Sequence, residues 1–270
     1  MEDKVFKYGQ FIISFHSEGE GPHAWFTFHG AGQTKKDYFS LEKTFHNKSR
    51  VFHVDLPYHG ESFYSGEVPS IKEWTETFGA LLETYQIEKI SLSGFSLGCR
   101  MVYPLINAFP DRIQKVVLIA PDGLTKNFWY QIATHSVGKH LFKYFIFQPG
   151  FILTTAILLK KLSIISNSFF RFVQSQVKSR KQRWRIYRTW IFFRQLSLPP
   201  EILVRKFNQF QIPLTIVLGA EDEIVNKKKL QKFISAIHHC DVVEINTTHH
   251  QLLNKTGDFT DPLSTIKNPL

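Results

Sequence analysis

The chain has 270 residues, 43% of them hydrophobic and 15% aromatic, enough for one large α/β domain with an insertion and too apolar for a disordered or fibrous chain. Its two cysteines, Cys99 and Cys240, exclude a disulfide framework and a cysteine-built metal site, which points to a reducing compartment. The net charge of +10 suggests nucleic acid, a membrane surface or an acidic substrate, and 13 of the 33 Lys and Arg fall within residues 123–200, a stretch without a single Asp or Glu.

Taken in chain order, the predicted strands are short apolar runs: Phe11 to Phe15, Ala24 to Phe28, Val51 to Val54, Ile90 to Ser93, Val116 to Ile119, Leu214 to Leu218 and Val242 to Ile245. Helical periodicity falls between them, at Asp37 to Phe45, Ile71 to Tyr85, Leu97 to Ala108 and Lys227 to Ile237. Such alternation predicts a mostly parallel sheet covered by helices on both faces. The basic window interrupts this rhythm, so the expected organisation is a core of residues 1–122 and 207–270 and an inserted helical cap of residues 123–206. Within the window Trp184, Tyr187 and Ile191 recur on one helical face and Lys181, Arg185 and Arg188 on another, and Pro199-Pro200 ends the pattern. The tail from Thr260 to Leu270 reads as loop or frayed helix.

The opening MEDKVFKYGQ mixes acids and lysines where an export signal needs an apolar run. The longest nearly apolar stretch, Phe151 to Leu159, has about half of the roughly 20 residues that span a bilayer. The expectation is a cytoplasmic chain without a transmembrane helix.

Chemistry concentrates after the strands. Ile90 to Ser93 runs into Gly94-Phe95-Ser96-Leu97-Gly98 and then a helix, the setting in which G-x-S-x-G forms a strained turn that exposes its serine near a helix N-terminus. After Ala24 to Phe28 comes His29-Gly30-Ala31-Gly32, whose glycines let backbone amides face the serine. Ala31 and Leu97 are the expected oxyanion donors, and His29, Gly30 and Phe95 the expected substrate-lining residues. Asp55-Leu56-Pro57-Tyr58-His59-Gly60-Glu61-Ser62 follows the next strand, and Gly219-Ala220-Glu221-Asp222-Glu223-Ile224-Val225 follows Leu214 to Leu218.

HGAG, DLPYHGES, GFSLG and LGAEDEIV, in this order, resemble the α/β-hydrolase superfamily and its cap-bearing, esterase- or lipase-like serine hydrolases, over residues 22–122 and 211–253. The resemblance implies that Asp55 and His59 are scaffold and that Tyr58 stands where the family has glycine. It implies that Asp222 is the acid of a Ser, acid, His triad. The base follows Val242 to Ile245, where His249 and His250 are adjacent. Aligning His250-Gln251-Leu252-Leu253 with the family's G-H corner favours His250 and puts His249 in the glycine slot. The expected reaction is acyl transfer from a small-molecule ester or acyl substrate, without metal or cofactor; a serine at the elbow argues against the epoxide hydrolases and dehalogenases of the superfamily, which use aspartate there.

A cap dense in aromatics (Phe128, Trp129, Tyr130, Phe142, Tyr144, Trp184) and in basic residues suits an amphiphile with an anionic head, or peripheral docking on anionic lipid. Nucleic acid is not expected, since the chain carries no recognition motif and its basic residues alternate with bulky apolar ones. Two other readings keep the same residues: a lyase acting on an anionic substrate, and a ligand-binding protein that retains the fold.

Overall fold

A computed structural model describes residues 3–41, 50–125, 138–165, 179–225 and 227–258, with Phe170, Gln174 and Val177. The aromatic residues Phe128, Trp129 and Tyr130, and the tail from Thr260, lie outside the described residues. Contacts divide the chain into two units, Met1–Thr125 with Leu196–Leu270, and Lys126–Gln195.

The first unit is built on a nine-stranded sheet: β1 (Asp3–Tyr8), β2 (Phe11–Glu18), β3 (His23–Phe28), β4 (Arg50–Val54), β5 (Phe63–Tyr64), β6 (Lys89–Phe95), β7 (Ile113–Ile119), β8 (Leu214–Gly219) and β9 (Cys240–Ile245). The spatial order is β1-β2-β4-β3-β6-β7-β8-β9, with β5 paired to β2. From β4 to β9 every pairing is parallel, and β1, β2 and β5 form an antiparallel margin. The seven expected strands are present, each at least as long as its apolar run. The additions have physical reasons: β1 mixes charged and apolar residues without an apolar run and lies on an exposed margin, and β5 is two residues long.

Register fixes where the chemistry falls. Phe28 pairs with Gly94, so β3 and β6 end side by side, and Gly219 pairs with Ile245, so the turns after β8 and β9 also meet. All four open at the carboxyl edge of the parallel strands, where open α/β sheets place their ligands.

Helices α1 (Ile71–Thr84) and α2 (Cys99–Ala108) pack together, and α2 lies against β3, β6 and β7. A capping box starts α1: Ser70 Oγ accepts from the Glu73 amide and the Glu73 carboxylate accepts from the Ser70 amide. Trp74, 1% exposed, donates its indole N–H to the Met101 carbonyl at 3.0 Å and so fastens α1 to α2. The helix expected at Asp37 to Phe45 is a 3-10 segment, Lys35–Leu41, and residues 42–49 lie outside the described set.

The second unit contains α3 (Gly138–Ile146), α4 (Pro149–Lys161) and α5 (Arg180–Gln195). Phe142 of α3 stacks on Trp190 of α5 at 5.0 Å and meets Tyr187 at 5.9 Å. The face of α5 that is buried carries Thr189, Phe192 and Phe193, so the expected stripe of Trp184, Tyr187 and Ile191 is not its most buried one; Trp184 is 39% exposed. The second unit ends at Gln195, short of the residue 206 expected for the inserted cap: α6 (Pro200–Gln209) packs on α2, burying Leu203 and Phe207, within the first unit. Pro200 opens this helix at its first turn, where a missing N–H is harmless. The remaining helices are α7 (Lys227–Ile234) and α8 (His249–Asp258).

Candidate active site

Ser96 follows β6 directly and has φ of 50°, in the left-handed region that non-glycine residues rarely adopt. The turn closes only because its flanking glycines lack side chains. A Cβ on Gly94 would lie 2.8 Å from the Cys99 amide nitrogen, and one on Gly98 would strike the Phe28 carbonyl oxygen and lie 2.5 Å from that of His29.

The Ser96 hydroxyl donates to His249 Nε2 at 3.0 Å. His249 Nδ1–H in turn donates to Asp222 Oδ2 at 2.6 Å, and the carboxylate, which can only accept, fixes the ring tautomer. Asp222 Oδ1 accepts from the amides of Ile224 and Val225 at 2.8 and 2.9 Å. Burial raises the carboxyl pKa, but the hydrogen bond and charge of His249 together with those two amides outweigh it and hold Asp222 below its ordinary value. The turns carrying the two residues are laced by backbone: Ala220 N–H donates to Ile245 O at 2.8 Å, and Glu221 N–H to Thr247 O at 3.2 Å.

His249 therefore occupies the position expected for His250. Both stand at the start of α8, where adjacent side chains diverge by about 100°, and only His249 turns toward Ser96. The His249 ring is buried against Phe95 at 5.3 Å, whereas His250 is exposed and lies edge-on to His249 at 5.9 Å. Burial and the neighbouring His249 lower the His250 pKa, Asp222 opposing. Thr248 thus stands in the slot where the resemblance puts glycine.

The expected substrate-lining residues separate. His29 is 0% exposed and has both ring nitrogens engaged: Nδ1–H donates to Gly30 O at 2.8 Å, and Nε2 accepts from the Leu56 amide at 3.0 Å. It ties the loop after β3 to the loop after β4 and cannot reach a ligand. Gly30 is also buried; its amide donates to Gln33 Oε1 at 2.8 Å, and a Cβ there would lie 2.8 Å from the Phe95 ring. Phe95 backs the His249 ring. Leu97 follows Ser96 directly, and Ala31 lies in the loop that leaves β3 three residues after Phe28, the residue paired with Gly94.

Asp55 and His59 hold the same loops. Asp55 accepts from the Lys35 amide at 2.8 Å and from Lys35 Nζ at 3.0 Å, and Nζ also reaches Ser14 Oγ at 2.8 Å. Burial lowers the Lys35 pKa, but its bonds to Asp55 and Asp3 prevail and leave it raised. His59 Nε2 accepts from the Gly32 amide at 3.1 Å. Tyr58, at the family's glycine position, has φ of 67°. This network was not visible in sequence, because Lys35 lies in no motif. Among the described residues, no three His, Cys, Asp or Glu gather as a metal site would require.

Solved structures share this fold across nearly the whole chain. An α/β-hydrolase enzyme from a Medee basin deep-sea metagenome library superposes with a TM-score of 0.71 at 14% identity, covering 96% of this chain and 95% of that one. A thermophilic esterase from Thermogutta terrifontis gives 0.68 at 16% identity, covering 97% of each. The thioesterase domain from the curacin biosynthetic pathway gives 0.66 at 16%, covering 97% and 99%. No curated protein matches the sequence. The fold is thus that of an α/β-hydrolase, as expected from the motifs. The family follows from the sequence: the serine aminopeptidase S33 hydrolase model matches residues 23–257, and the chain belongs to that family.

Proposed function

We propose that the protein is a serine hydrolase that cleaves a carboxylic ester through an acyl-serine intermediate. The observation that carries this reading is the unbroken line of hydrogen bonds from Ser96 through His249 to Asp222. His249 Nε2 takes the hydroxyl proton as Ser96 Oγ attacks the substrate carbonyl carbon, and Asp222 stabilises the resulting imidazolium. The amides of Ala31 and Leu97 receive the oxyanion. The carbon–oxygen bond to the alcohol then breaks, and the alcohol leaves with the proton from His249. Water enters, loses a proton to His249 and attacks the acyl carbon; the acid departs and Ser96 recovers its proton.

The esterase and thioesterase descriptions belong to the neighbouring proteins. For this chain an amphiphilic acyl ester or thioester is favoured by the aromatic and wholly non-acidic segment of residues 123–200. The test is stopped-flow hydrolysis of nitrophenyl esters of increasing acyl length. The reading expects a burst of nitrophenolate close to one per active site with activated esters, and kcat/KM that rises with chain length. Absence of any turnover by folded enzyme across esters and thioesters would contradict it.

A further inference from the structure

We infer that the second unit docks on an anionic lipid bilayer through α4 and the turn that follows it. Helix α4 is apolar around almost its whole circumference, a composition suited to a protein core or to lipid. Yet Ala156 is its only fully buried side chain among the described residues, and Ile157, Leu158, Leu162 and Ile164 are 44–64% exposed. A patch of that kind on a water-soluble surface marks an interaction site.

Charge selects the occupant. Lys160 and Lys161 close the helix in the middle of this patch, and both are exposed. The same unit presents an open groove of about 850 Å³ lined by Lys143, Arg180, Lys181, Tyr144 and Trp184. Throughout residues 123–200 no carboxylate offsets these cations. Apolar side chains that enter the acyl boundary, lysines at headgroup level and exposed Trp and Tyr are what an interfacial helix requires on a negatively charged leaflet. The helix has 13 residues, too few to cross a bilayer, so it lies in the interface plane.

Docking involves the second unit and not the Ser96 centre, so lipid binding and catalysis fail separately. The test is co-sedimentation of the full chain with vesicles of phosphatidylcholine alone and with about a third phosphatidylserine, at low and high ionic strength. Wild type and Ser96→Ala are expected to pellet equally with the anionic vesicles, weakly with neutral ones, and less as salt rises. Lys160→Gln with Lys161→Gln should weaken binding about 30-fold, at about fivefold per lysine. Ile157→Ser with Leu158→Ser should weaken it by about tenfold or more. Both pairs replace exposed side chains, and unchanged circular dichroism and melting would establish that they fold. Failure to bind either vesicle, equal binding to both, or variants that bind like wild type would overturn the inference. So would a dimer in solution that Ile157→Ser with Leu158→Ser dissociates, since a second copy would then be the occupant.

Discussion

At Asp222, burial and hydrogen bonding act in opposite senses, and the balance sets how the residue answers to pH. Because the folded state holds its carboxyl below the ordinary value, Asp222 adds stability at all pH above that value and loses it as pH falls through the lowered one. An acid titration at fixed urea should therefore show the stability difference between wild type and Asp222→Asn shrinking as pH drops through the acidic range, and a difference independent of pH would contradict the balance. At neutral pH the same substitution should lower kcat on the order of 10⁴-fold with little change in fold, since Asn can present its amide to Nδ1 and favour the wrong tautomer. Lys35 has the opposite sign. Its raised pKa contributes stability that is complete below the ordinary lysine value and is lost only as pH climbs through the folded one. Lys35→Met leaves Asp55 as a buried charge and should cost about 3–5 kcal/mol in urea unfolding.

Between elements, the tolerance for volume is lowest where β6 turns into α2. Gly98→Ala directs a methyl group at the carbonyls of Phe28 and His29, and backbone there cannot yield without moving β3. About 1–3 kcal/mol of destabilisation is expected, with activity lost more steeply than stability because the same turn carries Ser96. A thermal melt and an ester assay read the two effects separately. That junction was legible in sequence: G-x-S-x-G between an apolar run and a helical pattern places the serine whatever else the chain does. The histidine was not. One residue of drift at the start of α8 exchanges His249 for His250, and the tie that sets it, Glu221 N–H to Thr247 O, joins residues 26 apart in sequence with no side-chain signature. His29 was misread for a similar reason, because a loop histidine beside glycines looks exposed until Leu56 and Gly30 are seen to use both its nitrogens. The β1 strand and the role of α6 were hidden by composition: an exposed strand lacks the apolar run of a central one, and Pro199-Pro200 reads as a stop when Pro200 is also a start.

Across the whole molecule, charge and burial separate into the two units. All 13 Lys and Arg of the acid-free segment fall in residues 126–194, while in the first unit every apolar side chain of strands β6, β7 and β8 is buried. Few buried contacts and much exposed backbone lower the free energy of local opening. Amides of α4 should thus exchange with deuterium well before those of β6 and β7, and simultaneous exchange of both units would contradict this ordering. On anionic vesicles the α4 amides should slow while those of β6 and β7 do not change, which links the exchange pattern to the docking surface.

Catalysis rests on an activated Ser96 whose base is His249, as we propose. Labelling with a fluorophosphonate probe, with the adduct located by mass spectrometry, tests it most directly. An adduct is expected on Ser96 in wild type and in His250→Ala, with labelling reduced on the order of 10⁴-fold or more in His249→Ala. An adduct on another residue, or labelling that survives loss of His249 and disappears with His250, would contradict it.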